Sequence, residues 1–156
     1  MILIKKSPTA DTRTAKEPVS MVTLKDSSIQ HIGDVREALA WMGNKLHAIG
    51  MDHDWTKIEG IDQFHADFAA KQKDPNFDFV KGLWYHRHIT QERHHLDQHA
   101  PDDVNLFDVL ERVADITTAG MARSGKIFED HISPELLLQA YNNTIKLLQE
   151  NIKVIE

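Results

Sequence analysis

The sequence predicts an all-α domain of about five to six helices spanning residues 27–156, behind a short extended N-terminal arm at residues 1–26. Three observations lead there. Apolar residues recur at spacings of three and four in several long segments, which is the helical period. Alternating, strand-like patterning is absent beyond the first few residues. The periodic segments are also separated by residues that end or start helices: Gly50, Asp74-Pro75, Pro101 and Ser133-Pro134. At 156 residues the chain is long enough to bury one core.

In order, the arm mixes a short apolar start with Pro8, Pro18 and scattered charge, and reads as a strand or extended segment followed by a loop. Ser27 or Ser28 can cap a first helix, along which Ile32, Val35, Leu39, Met42, Leu46 and Ile49 form one stripe until Gly50. A second helix starts near Asp52 and carries Ile58, Ile61, Phe64 and Phe68, with Gly60 its weak point. After Asp74-Pro75 a third helix places Phe77, Val80, Trp84 and His88 on one side and ends before Pro101. Asp102 or Asp103 caps a fourth, with Leu106, Val109, Leu110, Val113 and Ile116 inward and Gly120 ending or weakening it. Ser133-Pro134-Glu135 is a cap, a first-turn proline and an acid at the positive end of the helix dipole. The last helix then runs through Leu137, Tyr141, Ile145, Leu148 and Ile152.

A formal charge of -6 argues against non-specific nucleic-acid binding, which relies on basic surface to displace counterions. The absence of cysteine excludes disulfides and thiolate metal sites, so any metal must sit on nitrogen and oxygen. The first residues lack the long apolar segment of a secretory signal, and nowhere do 18 apolar residues run together, so a cytoplasmic location and no membrane partner are expected.

Histidine is the unusual residue. There are 10, and 5 of them fall between His86 and His99. A hydrolytic metal centre on a helical scaffold needs imidazoles and carboxylates converging from several helices, with positions left for water and substrate. In chain order the candidates are His31, the adjacent pair His53-Asp54, His88, the pair His94-His95, and Asp115. Lys57 stands three residues after Asp54, on the same helical face, where an ammonium can hold a phosphate oxygen. His88 is preferred to His86 because it continues the Val80 and Trp84 stripe. Neighbours on a helix diverge by about 100°, so His94 and His95 can both turn inward only at a helix end or bend. Asp115 lies beside the apolar stripe, and Asp108 and Glu111 share its side. The stretch GMARSGK at 120–126 fits seven positions of a phosphate-binding loop, but Ile127 stands where a magnesium-binding Ser or Thr is required, and no strand precedes it.

The order H, HD, H, HH, D resembles the HD-domain superfamily of helical metal-dependent phosphohydrolases. The HDxxK form of His53 to Lys57 is similar to that of HD-GYP phosphodiesterases and CRISPR-associated HD nucleases. SIQHIGDV at 28–35, HDWTK, HITQERHH at 88–95 and VADI around Asp115 resemble an uncharacterised HD-like family common in phages and bacteria. The resemblance implies an HD-like helical bundle. It also implies His31, His53, Asp54 and Asp115 as core ligands, with His88, His94 and His95 serving a second ion. No GYP follows the paired histidines, where LDQ stands, and the interval from Asp54 to His94 is short, so cyclic-dinucleotide specificity is not implied.

The expected activity is hydrolysis of a phosphoester, with a nucleotide the natural small phosphorylated substrate. One or two divalent transition ions (Mn, Fe, Ni, Co or Zn in preference to Mg) would serve it. Asp54 and Lys57 would be catalytic, Lys57, Arg87 and Arg93 would bind phosphate, and Trp55 or Trp84 could stack a base. The alternatives are a di-iron oxygenase of the same fold and a non-catalytic helical interaction module; homo-oligomerisation stays open.

Overall fold

The computed structural model describes residues 1–7 and 18–156. Among the described residues the chain is all-α apart from one small sheet: β1 (Ile2–Lys5), α1 (Met21–Asp52), α2 (Trp55–Glu59), α3 (Ile61–Lys73), α4 (Leu83–Gln91), α5 (Leu106–Ser124), α6 (Pro134–Asn151) and β2 (Ile152–Ile155), with a 3-10 turn at Phe79–Lys81. It divides into two compact units, Met1–His47 with Ile145–Glu156, and Ala48–Thr144. The expected loop around Pro8 lies outside the described residues.

In the first unit β1 and β2 pair in parallel, Ile2 opposite Ile152 and Lys5 opposite Ile155. Parallel neighbours need a long crossover, and here nearly the whole chain supplies it. The last helix therefore stops at Asn151 instead of running through Ile152, because the β-branched Ile152, Val154 and Ile155 suit the ladder better than a helical turn. The boundary expected at residue 26 falls inside α1, which starts at Met21 because the Ser20 hydroxyl accepts the Thr23 N–H at 3.1 Å. Gly50 does not stop α1. Its expected core stripe is half realised: Met42, Leu46 and Ile49 are partly buried, whereas Ile32, Val35 and Leu39 are exposed.

The second unit is built from short pieces. The expected second helix breaks at Gly60, where a Cβ would come within 2.9 Å of the Thr56 carbonyl and 3.1 Å of Trp84. Asp67 is buried, and its Oδ2 accepts the Trp84 N–H at 3.0 Å, satisfying a donor at the start of α4. That approach requires Gly82, whose Cβ would sit 2.5 Å from the same oxygen. The expected third helix is thus shortened to α4, which ends at Gln91.

Asn105, rather than Asp102 or Asp103, caps α5; it forms a capping box with Asp108. Gly120 lies within this helix, and Gly125, at φ 66°, ends it. Leu110 and Val113 are exposed, against expectation, and Asp108 and Arg112 take the buried side with Phe107 and Val109. The reason is polar: Arg93 pairs with Asp108, while Arg112 pairs with Asp97 and Asp130.

The start of α6 is as expected, Ser133 Oγ accepting the Leu136 N–H at 3.1 Å. Its buried face, however, carries Leu136, Ala140 and Thr144, while Leu137, Tyr141 and Ile145 are exposed. Hydrogen bonds select that face, one residue or about 100° away. The Thr144 hydroxyl accepts the Leu106 N–H at 2.8 Å, and Asn143 donates to the Val104 carbonyl at 2.9 Å. Leu96, Val104, Val109 and Ala140 form the apolar core beside them.

Candidate metal centre

The site lies in the second unit and is built on helix ends. Helix α1 ends at Asp52, and Asp54 takes a left-handed conformation, φ 59° and ψ 25°, before α2 begins. It is the only non-glycine with positive φ among the described residues, a conformation that costs about 1–2 kcal/mol outside glycine. The sharp turn sends the His53 and Asp54 side chains to a common place. Helix α4 presents His88 on its buried side, and because it stops at Gln91, both His94 and His95 turn inward from the loop that follows. Helix α5 adds Asp115.

The Nε2 atoms of these imidazoles converge. His53 Nε2 lies 3.4 Å from Asp54 Oδ2 and 3.7 Å from Asp115 Oδ1. His88 Nε2 lies 3.5 Å from Asp54 Oδ1, and His94 Nε2 lies 3.7 Å from the same oxygen and 3.9 Å from Asp115 Oδ2. His95 Nε2 is 2.9 Å from His88 Nε2. Four ring nitrogens and two carboxylates therefore surround a small volume centred on Asp54.

The far sides of the rings are held. His53 Nδ1 donates to Glu111 Oε1 at 2.9 Å, which leaves its Nε2 with the lone pair. His94 Nδ1 stands 3.1 Å from the same oxygen, close enough to feel its charge but not directed for a hydrogen bond. Trp84 stacks on His88 with ring centroids 4.8 Å apart and planes 14° apart, and on Phe64 at 3.8 Å. Trp84 is therefore core, a wall that orients His88, and not a base-stacking surface.

Whether these groups suit a cation is decided by what they lack. Four buried side-chain polar atoms have no hydrogen-bond partner among the described residues, and three are here: Asp54 Oδ1 and both ring nitrogens of His94. An unsatisfied buried polar atom costs about 1–3 kcal/mol; with the proton of a neutral His94 on Nδ1, toward Glu111, the facing Asp54 Oδ1 and His94 Nε2 call for a ligand that accepts lone pairs. A divalent ion fits, and the nitrogen-rich donor set suits transition ions better than magnesium. An alternative group of His53, His94 and Glu111 would use the Nδ1 atoms. The Nε2 set is the better one, since it alone satisfies Asp54 Oδ1 and His94 Nε2.

The electrostatics favour lone pairs at His88 and His95 and a proton at His94. Burial, then the His95 charge, depresses the His88 pKa to about 4; burial and His94 do the same to His95, also to about 4. Both rings are neutral at pH 7, and of the two Nε2 atoms, 2.9 Å apart, one donates its hydrogen to the lone pair of the other. Burial opposes protonation of His94, but the Glu111, Asp54 and Asp115 carboxylates outweigh it and raise its pKa. Burial opposes ionisation of Asp54, yet Lys57 and the neighbouring imidazoles hold its pKa below the usual value.

Of the residues singled out in the sequence, His53, Asp54, His88, His94, His95 and Asp115 come together, and Lys57 Nζ donates to Asp54 Oδ2. His31 is in none of the metal-capable groups found among the described residues; it is exposed on α1 and belongs to the first unit. Arg93 is held by Asp108, through both Nε and Nη2, and by Asp103, so its donors serve the start of α5. Arg87 pairs with Glu59 and Gln91 and lies 5.5 Å above the half-exposed Trp55 ring. The glycine-rich stretch at 120–126 is mostly helix and offers no phosphate loop.

The sequence places Glu111 on Asp115's side without giving it a role, and nothing in it singles out Thr56 or Glu92. Glu111 precedes Asp115 by four residues, and Glu92 follows His88 by four, spacings that put each pair on one helical side.

Fold and site together define an all-helical protein with a buried histidine-carboxylate cluster. Residues 22–155 match the Family of unknown function (DUF5662), and the chain belongs to that family. No curated protein and no solved structure matches it. No helix among the described residues is long and apolar enough to cross a membrane.

Proposed function

We propose that the protein is a metal-dependent phosphoester hydrolase acting in the cytoplasm on a small phosphorylated substrate, a nucleotide in the first instance. One or two divalent transition ions (Mn, Fe, Ni, Co or Zn) would be held by His53, Asp54, His88, His94, His95 and Asp115. The observation that carries the reading is the set of buried, unpartnered lone pairs on Asp54 and His94, faced by the Nε2 atoms of His53 and His88. The resemblance of the HDxxK order to HD-domain phosphohydrolases supports it further.

A bound divalent ion supplies a water acidified toward neutrality and positive charge against phosphoryl oxygens. The chain's own groups supply the rest. Asp54 can offer one carboxylate oxygen on either side, since Oδ1 faces His88 and His94 while Oδ2 faces His53 and Lys57. Lys57, about one-third exposed and paired with Asp54, would meet a phosphate oxygen as charge develops there. Arg87 and Trp55 lie farther out on a half-exposed surface, suited to a second phosphate or a base.

Elemental analysis of protein purified without a histidine tag, followed by turnover of bis(p-nitrophenyl) phosphate and of nucleotides with Mn²⁺, tests the reading. His53→Ala and Asp54→Ala should abolish metal-dependent turnover with the fold retained, and Lys57→Ala should weaken it. A protein that holds none of these ions and releases neither p-nitrophenolate nor phosphate when Mn²⁺, Fe²⁺ or Ni²⁺ is supplied would refute it.

A further inference from the structure

His88 is deeply buried in the cluster, and what lies behind it is a polar chain. Thr56 is 0 % exposed, His88 3 % and Glu92 5 %. Glu92 Oε1 accepts the Thr56 N–H at 2.9 Å and the Thr56 hydroxyl at 2.6 Å. The hydroxyl has one proton, and it is spent on Glu92. The contact between Thr56 Oγ1 and His88 Nδ1, at 2.7 Å, must then be made with the ring nitrogen as donor. Nδ1 carries the hydrogen and Nε2 keeps the lone pair, which accepts from His95 Nε2 at 2.9 Å and lies 3.5 Å from Asp54 Oδ1. Trp84 stacked on the ring removes the freedom to rotate away.

We infer that Thr56 and Glu92 are positioning residues that fix the tautomer and orientation of His88, making its Nε2 a ready donor to a divalent transition ion. The inference rests on the metal reading above and goes beyond it by naming what prepares the site. Glu92 anchors the chain at the end of α4, one turn from His88, and Thr56 opens α2 two residues after Asp54. The same pair of hydrogen bonds ties the segment bearing His53-Asp54 to the segment bearing His88, so the two halves of the cluster are set with respect to each other. Orienting groups of this kind typically contribute about 10–100-fold in metal affinity.

The test uses the full chain and Co²⁺ as probe. Nitrogen-15 NMR of the metal-free protein at pH 7.5 reads the His88 tautomer, and cobalt titration reads affinity. The expected result is Nδ1–H on His88, a 10–100-fold loss of cobalt affinity in Thr56→Val, and recovery in Thr56→Ser, which keeps the hydroxyl. A Thr56→Val protein with unchanged melting but weakened cobalt binding separates positioning from mere packing; should that variant not fold, Glu92→Gln, which keeps the shape and an acceptor oxygen, is expected to lose at least 3-fold. An Nε2–H tautomer in the wild type, or cobalt binding unchanged in Thr56→Val, overturns the inference while leaving the metal reading intact. A wild type that has Nδ1–H but binds no cobalt overturns the metal reading, and the positioning role with it.

Discussion

Exchanging Glu111 for glutamine separates the ligand arrangement of the structure from the one the family resemblance implied. The resemblance put His31 among the core ligands; the structure leaves His31 exposed and places Glu111 behind His53 and His94. Glutamine keeps the size and an acceptor oxygen but removes the charge. A hydrogen bond to a charged group contributes about 1.5–3 kcal/mol against about 0.5–1.5 for a neutral one, so roughly 1 kcal/mol is lost at His53, the imidazole hydrogen-bonded to Glu111. That is about 5-fold in metal affinity. Cobalt titration followed by visible absorption should show Glu111→Gln weakened about 5-fold and His31→Ala unchanged. Equal affinity in Glu111→Gln and the wild type, or a comparable loss in His31→Ala, would refute the assignment.

Further outcomes follow from the same geometry. Gly82→Ala drives a methyl to 2.5 Å from Asp67 Oδ2, and overpacking of this kind costs about 1–3 kcal/mol; thermal melting should fall accordingly. Asn105→Ala removes the cap of α5, a loss of about 1 kcal/mol, or about 2–4 °C in a domain of this size. Arg112 holds the Asp130 carboxyl below its ordinary pKa of 3.8, so the stability this pair contributes is present above pH 3.8 and is lost as pH falls through the lower folded value. The melting difference between wild type and Asp130→Asn should therefore be largest near neutrality and vanish in strong acid. Cobalt at 100 times its dissociation constant should raise stability by about 2.7 kcal/mol, an increase that EDTA reverses and Asp54→Asn abolishes.

How much of this was legible in the sequence depends on whether the deciding force is local. Ser133-Pro134-Glu135 starts α6 because capping and the fixed φ of proline act within one turn. The need for a helix end before His94-His95 was also local, since adjacent residues cannot share a helical side, and α4 does end at Gln91. Where tertiary contacts decide, the period misleads. Along α6 two apolar stripes compete one residue apart, and the Thr144 and Asn143 hydrogen bonds settle the choice. Helix α5 turns polar residues inward because Arg93 and Arg112, distant in sequence or half apolar themselves, find carboxylates there. At β2 the spacing of Ile145, Leu148 and Ile152 fits a helix, and only pairing with β1 makes the last residues a strand.

The site follows the same division. Six of the residues that come together were readable because metal chemistry without sulfur needs imidazoles and carboxylates, and this chain concentrates them. His31 belonged to the order of residues and is exposed in the first unit, outside the metal-capable groups among the described residues. The supporting groups were hidden for a different reason. Thr56, Glu92 and Glu111 are residue types common on any helix, and what distinguishes them is burial against a ring nitrogen. Their presence bears on why the cluster exists in this form. A carboxylate held in a left-handed turn and buried polar atoms kept from partners both cost stability in the metal-free chain. A surface or core histidine cluster without a ligand would relax by moving one ring toward an available donor. Here Trp84, Thr56 and Glu111 hold the rings in place, which is the arrangement a cation site needs.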